Sequence, residues 1–191
     1  MNNMISASTG LQEFDVVVRA LGFAAVKHSK QRRKDADKTP YINHPIALLE
    51  LLWTVGGIRD AAALAAALLH DTVEDTGTTP EELSDAFGED IRDIVLELSS
   101  DKSLPSAEQK RLQVEHAPHM SPRAKLVKLC DKICNVTDIH VSPPAAWEPA
   151  RKLAYFDWAG KVVDGVRGIN PALEARFDEI IVRARAGVTS G

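Results

Sequence analysis

The chain has 191 residues, 45% of them apolar and 26% charged, with a formal net charge of −4; this supports one domain with a sizeable core and excludes a low-complexity or disordered polypeptide. The longest uninterrupted apolar run, Ala61–Leu69, is far too short to span a bilayer, and Met1–Gly10 has neither the basic start nor the apolar middle of a signal peptide, so the chain is expected in the cytosol. The two cysteines, Cys130 and Cys134, sit four apart on one expected helix, which excludes a disulfide framework and reads as reduced core or near-core residues.

In chain order the pattern is helical throughout, and no stretch alternates. Phe14, Val17, Val18, Leu21 and Ala25 mark a first amphipathic helix, and further helices are expected over 46–55, 60–71, 80–86, 88–99, 121–139, 147–168 and 171–186. Thr79-Pro80-Glu81-Glu82 is a helix start, with a capping hydroxyl, a proline at the first position and carboxylates in the first turn; Gly88 separates that helix from the next. The segment 101–119 is bracketed by Leu104-Pro105-Ser106 and Ala117-Pro118 and predicts a helix of about three turns. Ser142-Pro143-Pro144 breaks the chain but is too short for a domain linker. The reading is all-α: one helical domain over 11–187, with flexible termini at 1–10 and 188–191.

Charge is unevenly placed. Lys27, Lys30, Arg32, Arg33, Lys34 and Lys38 put six positive groups into twelve residues. Such a local patch on an acidic chain suits a small phosphorylated ligand better than extended nucleic acid, and the alternative is a solvated helix end whose cations favour the helix dipole. Asp35–Lys38 is polar with no apolar anchor, a candidate for movement over a pocket.

The most informative stretch is His70-Asp71-Thr72-Val73-Glu74-Asp75, at the end of the apolar run. If the helix continues through it, Asp71, Glu74 and Asp75 share one face at i, i+3 and i+4. Packing three carboxylates beside an imidazole at the edge of a core is unfavourable unless a cation or hydrogen-bond donors compensate. Two other segments supply what a metal site would still need: His44 in Tyr41-Ile42-Asn43-His44-Pro45, and Asp131 on the helical segment Leu126–Ile139, with Asn135 and Asp138 following at i+4 and i+7. The apolar stripe Leu126, Leu129, Ile133 and Val136 runs beside that polar face. His28, His116, His119 and His140 fit no ligand position and read as surface or packing residues, and Trp53, Trp147 and Trp158 read as core anchors.

Taken together, Arg32-Arg33-Lys34-Asp35, Thr39–Pro45, Ala66–Thr76, Phe87-Gly88 and Lys125–Lys132 resemble the hydrolase domain of RelA/SpoT proteins in the HD superfamily, with the nearest likeness to the stand-alone small alarmone hydrolases of the Mesh1 type. The resemblance runs from about Val17 to about Val182. It implies an all-α fold and hydrolysis of (p)ppGpp at its 3′-diphosphate to GDP or GTP and pyrophosphate, usually with manganese. By the same resemblance His44, His70, Asp71 and Asp131 are metal ligands, Glu74 and Asp75 the catalytic acidic pair, and Arg33, Lys34 and Asn135 substrate-binding. Arg151 and Tyr155, four apart after the proline break, match nucleotide-lining positions more loosely. Larger members of that group carry synthetase and regulatory domains after the hydrolase; with the sequence ending at Gly191, alarmone synthesis is not expected.

The chemistry is consistent with this. Two imidazoles and two carboxylates form a mixed nitrogen and oxygen set suited to Mn²⁺, Fe²⁺ or Zn²⁺, with room for water and a phosphate oxygen. Glu74 and Asp75 would handle protons, in an order the sequence leaves open. Two alternatives stand: an HD-type phosphohydrolase of another phosphorylated nucleotide, and a non-catalytic module that binds the alarmone. Each takes a small molecule rather than nucleic acid or membrane, and nothing in the pattern specifies an oligomeric state.

Overall fold

The computed structural model describes the backbone of residues 2–189 and the side chains of residues 13–189. Ten helices occur among them: α1 (Asn2–Lys27), α2 (Asn43–Thr54), α3 (Ala61–Leu69), α4 (Thr72–Thr76), α5 (Pro80–Phe87), α6 (Glu89–Leu98), α7 (Ser106–His116), α8 (Pro122–Val141), α9 (Pro149–Val166) and α10 (Pro171–Thr189). A 3₁₀ turn, Ala117–His119, joins α7 to α8. Among the described residues the one β-type pairing is an isolated bridge between Arg32 and Pro40. No described helix is long and apolar enough to cross a membrane. The backbone of 2–10, expected as a flexible tail, forms the start of α1, and Val188 and Thr189, expected in the C-terminal tail, end α10, while Met1, Ser190 and Gly191 lie outside the described residues.

Helix α3 is the axis of the fold. Its sequence, AAALAAALL, has no polar face, and Ala63 through Leu69 are all buried, because α1, α2, α6 and α8 pack around it. Asp60 starts it as an N-cap, its carboxylate accepting from the Ala63 N–H at 3.0 Å. The small side chains of α3 let α1 approach closely, and this rotates α1 relative to expectation. Ala20 and Ala24 are fully buried and Val17 and Leu21 flank them, whereas Phe14 and Val18 are 68% and 49% exposed and Ala25 is also exposed. A stripe of alanine, not of the largest apolar residues, is therefore the packing face. Trp53 corrects a second expectation. It is half exposed on α2, with the Arg59 guanidinium stacked 3.6 Å from its ring centroid, while Trp147 and Trp158 do pack against the core.

A third correction bears on the site. α3 does not continue through Asp71, whose φ of −104° and ψ of 1° break the helix. The open carbonyls of the last turn are met by side chains: the His70 ring bonds Ala67 O through Nδ1 at 2.9 Å, and the Thr72 hydroxyl donates to Leu69 O at 2.7 Å. The short α4 then stops at Gly77, where φ is +72°, a left-handed conformation that favours glycine. Farther along, Thr79 caps α5 and Ser121 caps α8, each followed by proline. Cys130 is buried and Cys134 partly so; both thiols are free, and burial pushes both up, out of the range in which a thiolate forms at neutral pH.

Two outcomes follow from the packing. A Cβ at Gly165 would lie 2.8 Å from the Ala117 Cβ and 3.0 Å from the Pro118 ring, so Gly165→Ala should destabilise by about 1–3 kcal/mol, read as a lower urea midpoint. Gly160, on the same helix with nothing within 4 Å, is the control: Gly160→Ala should be neutral or gain up to about 1 kcal/mol. Burial alone would raise the Asp60 pKa, but the Ala63 amide and the Arg123 guanidinium bring it below its ordinary value. Its stabilisation is therefore complete above the unfolded value, near about 3.9, and is lost as pH falls through the lower folded value. Asp60→Ala should cost about 1 kcal/mol at pH 7, and the gap between the two proteins should close as the pH of the melts is taken below about 4.

Candidate metal centre and active site

Three elements converge at one end of α3. α2 begins Asn43-His44-Pro45 and buries both His44 and Pro45. His70 is held at the end of α3 by its bond to Ala67 O, which turns Nε2 into the site. Asp131 comes from the buried middle of α8. These three residues are buried, and each offers a ligand atom within 4.8 Å of the others. His44 Nε2 lies 3.3 Å from Asp131 Oδ1.

The donors fit a metal ion. Among the described residues His44 Nδ1 is a buried nitrogen with no hydrogen-bond partner, and His70 Nε2 meets only the Asp71 carboxylate, 2.8 Å away, an arrangement that is unfavourable unless a cation draws on these lone pairs. Burial lowers the His44 pKa, favouring the neutral, ligating imidazole. Burial alone would raise the Asp131 pKa, but the Lys132 ammonium and the two imidazoles hold it well below the usual carboxylate range. The site thus keeps an ionised carboxylate beside imidazoles, a mixed nitrogen and oxygen set.

Asp71, the fourth residue expected in the ligand set, stands at the margin of the group. Its Oδ2 lies 2.8 Å from His70 Nε2 and accepts a hydrogen bond from the Tyr41 hydroxyl. Desolvation opposes its charge, yet the His70 ring outweighs this and holds it below the ordinary range. In turn Asp71 raises the His70 pKa against burial.

The acidic pair sits on α4 and is pinned from several sides. Glu74 Oε2 accepts from the Ser100 N–H at 2.9 Å, and burial raises its pKa. Asp75 accepts from the Gln31 amide at 2.7 Å and from the Lys102 ammonium, which also lies 3.9 Å from Glu74 Oε1. Gln31 is itself fixed by the buried His28 ring at 2.6 Å. His28, read from sequence as a packing or surface residue, is a packing residue two hydrogen bonds from Asp75.

The basic cluster divides. Arg33 turns inward, donating to Asp138 and, at 3.1 Å, to the Asn135 side-chain Oδ1, with its guanidinium 5.7 Å from the Tyr41 ring centroid. Asn135 donates onward to Asp131 Oδ1. Lys27 pairs with Glu82 at 2.7 Å, and Lys30, Lys34 and Lys38 face solvent. Asp35 closes the loop on itself by accepting from the Thr39 N–H and hydroxyl, so the 31–41 hairpin is stitched despite its polarity. Tyr155 packs between Trp147 and Trp158 at centroid distances of 5.7 and 5.2 Å, and Arg151 stacks on Trp147 at 4.6 Å.

Sequence reasoning passed over several contributors. Tyr41 and Lys132 stood inside quoted motifs, but nothing marked Tyr41 as the Asp71 donor or Lys132, 4% exposed and 2.9 Å from Asp131 Oδ2, as a buried counter-charge. Gln31, Ser100 and Lys102 carry no motif.

Residues 20–155 match the HD domain family. The chain is 53% identical over 167 residues to guanosine-3′,5′-bis(diphosphate) 3′-pyrophosphohydrolase MESH1 of Xenopus tropicalis, covering 87% of this chain and 93% of that one. It is 52% identical over 158 residues to the Homo sapiens protein of the same name, covering 83% and 88%. A solved structure described as a metazoan ortholog of SpoT that hydrolyzes ppGpp and plays a role in starvation responses superposes with a TM-score of 0.85 at 46% identity, over 88% of this chain and 94% of that one. With the fold, the clustered histidines and acids and these relatives in agreement, the chain belongs to the HD domain family, in its MESH1 branch.

Proposed function

We propose that this chain is a metal-dependent guanosine-3′,5′-bis(diphosphate) 3′-pyrophosphohydrolase, converting (p)ppGpp to GDP or GTP and pyrophosphate. The observation that carries the reading is the buried His44, His70 and Asp131 group, with ligand atoms within 4.8 Å of one another, beside the Glu74–Asp75 pair, in a chain whose relatives at about half identity bear that activity in their names. These three residues, with Asp71 completing the set, would hold one divalent ion, for which we favour Mn²⁺ over Fe²⁺ or Zn²⁺. When bound, such an ion supplies a Lewis acid toward a phosphate oxygen and acidifies coordinated water.

The remaining work falls to the protein's own side chains. Glu74 has one oxygen fixed by the Ser100 amide and the other facing Lys102, and its raised pKa suits a group that exchanges a proton with the attacking water. Asp75, held by Gln31 and Lys102, orients that water. Arg33, anchored by Asn135 and Asp138, places fixed positive charge for the diphosphate, with Lys34 outside it. Tyr155 and the Arg151–Trp147 stack form the wall assigned to the nucleoside. The domain is taken to span 11–187, with the cytoplasm as its compartment.

Protein loaded with Mn²⁺ should release pyrophosphate from ppGpp, and Asp131→Ala or the pair Glu74→Gln/Asp75→Asn should lower turnover by about 10²-fold or more. Intact ppGpp after prolonged incubation with loaded wild type would reject the reading. Metal binding is measured separately by thermal melts. At Mn²⁺ concentrations about 100-fold over Kd the wild type should gain about 2.7 kcal/mol, and His70→Ala should melt at the same temperature with and without the ion.

A further inference from the structure

A cavity of about 240 Å³ opens between the end of α6, the 99–105 loop, α7 and α8. Leu104, Leu112 and Met120 supply apolar wall, and Lys128 of α8 forms part of the lining. Lys128 is 6% exposed, and its ammonium donates to the Leu98 carbonyl at 3.1 Å. Among the described residues it forms no ion pair, in contrast with Lys132 one turn on, which holds Asp131 at 2.9 Å. An ammonium has three N–H donors, and a buried one without an anion is strongly disfavoured. Burial accordingly lowers the Lys128 pKa.

We propose that this cavity binds a small organic monoanion, a monocarboxylate with a short apolar body, whose carboxylate pairs with Lys128 while its hydrocarbon lies against Leu104, Leu112 and Met120. The charge follows from the rim. Glu97 and Asp101 also line the cavity but are committed elsewhere, accepting from the Ser121 N–H at 2.6 Å and the Ser103 N–H at 2.8 Å. Their two negative charges beside a single buried cation favour one anionic charge over a phosphate carrying two. The wall is shared with the metal centre through two residues. The Ser100 amide fixes Glu74, and the Gln113 side chain donates to the Ser100 hydroxyl and accepts from Lys132 at 3.4 Å. The site stands on this geometry whatever reaction the metal centre performs.

The test is calorimetric titration of metal-stripped protein with phenylacetate and octanoate, using phenylacetamide and octanamide as neutral controls. At least one carboxylate should bind saturably, its amide about tenfold or more weaker, and Lys128→Met should weaken the carboxylate by about tenfold or more. Leu112→Trp, which fills the apolar wall and leaves the Lys128 residue unchanged, should remove binding and keeps the test open if Lys128→Met does not fold. Arg33→Met should leave binding intact, because Arg33 belongs to the metal centre. The proposal is overturned by no saturable binding of either carboxylate, by amides that bind as well as the acids, by unchanged affinity in Lys128→Met or Leu112→Trp, or by loss of binding in Arg33→Met.

Discussion

The organising constraint is the desolvation of two imidazoles and a carboxylate at the end of a wholly apolar helix. Such a group is stable only when each donor is aimed and its remaining polar atoms are occupied, and the surrounding structure does this for His70 and Asp131. Ala67 O fixes the His70 ring, so its other nitrogen has one direction to face. Asp131 is gripped on one oxygen by Lys132 and on the other by Asn135, leaving a carboxylate of set orientation. The break at Asp71 belongs to the same arrangement: a continued helix would carry Glu74 and Asp75 onward along the α3 axis, whereas the short α4 turns them back toward the 31–41 loop and Lys102.

A second layer ties distant segments to the first. The path Arg33 to Asn135 to Asp131 joins the hairpin after α1 to the middle of α8, and His28 to Gln31 to Asp75 joins the end of α1 to α4. Neither path closes until the helices have packed around α3. The site is thus a product of tertiary assembly rather than of any one motif, and its precision depends on residues that touch no ligand atom.

How much of this was readable follows from the range of the interactions. The helix start at Thr79-Pro80 was legible because capping is local, one hydroxyl reaching an amide three residues on. His44, His70 and Asp131 were legible because their residue types and order resemble a known pattern. The face of α1 was not: hydrophobicity favours Phe14 and Val18, but the alanine surface of α3 selects Ala20 and Ala24 by closeness of fit. The end of α3 was missed because Ala61–Asp71 is a good helical pattern, and the break is enforced by side-chain bonds from His70 and Thr72 to the last carbonyls. Gln31, Lys102 and the buried Lys132 were missed because their partners lie across the fold or in a direction the sequence does not mark.

The two free thiols, one buried and one partly buried, carry a practical corollary. Cys130 adjoins Asp131 and Cys134 lies one turn on, and burial pushes both thiols up, away from the thiolate form that reacts and binds soft ions most readily. Their low nucleophilicity also means that a single cysteine introduced on the exposed face of α10 would react with maleimide or a spin label ahead of the native pair, giving a distance probe for this fold without first removing its own sulfur.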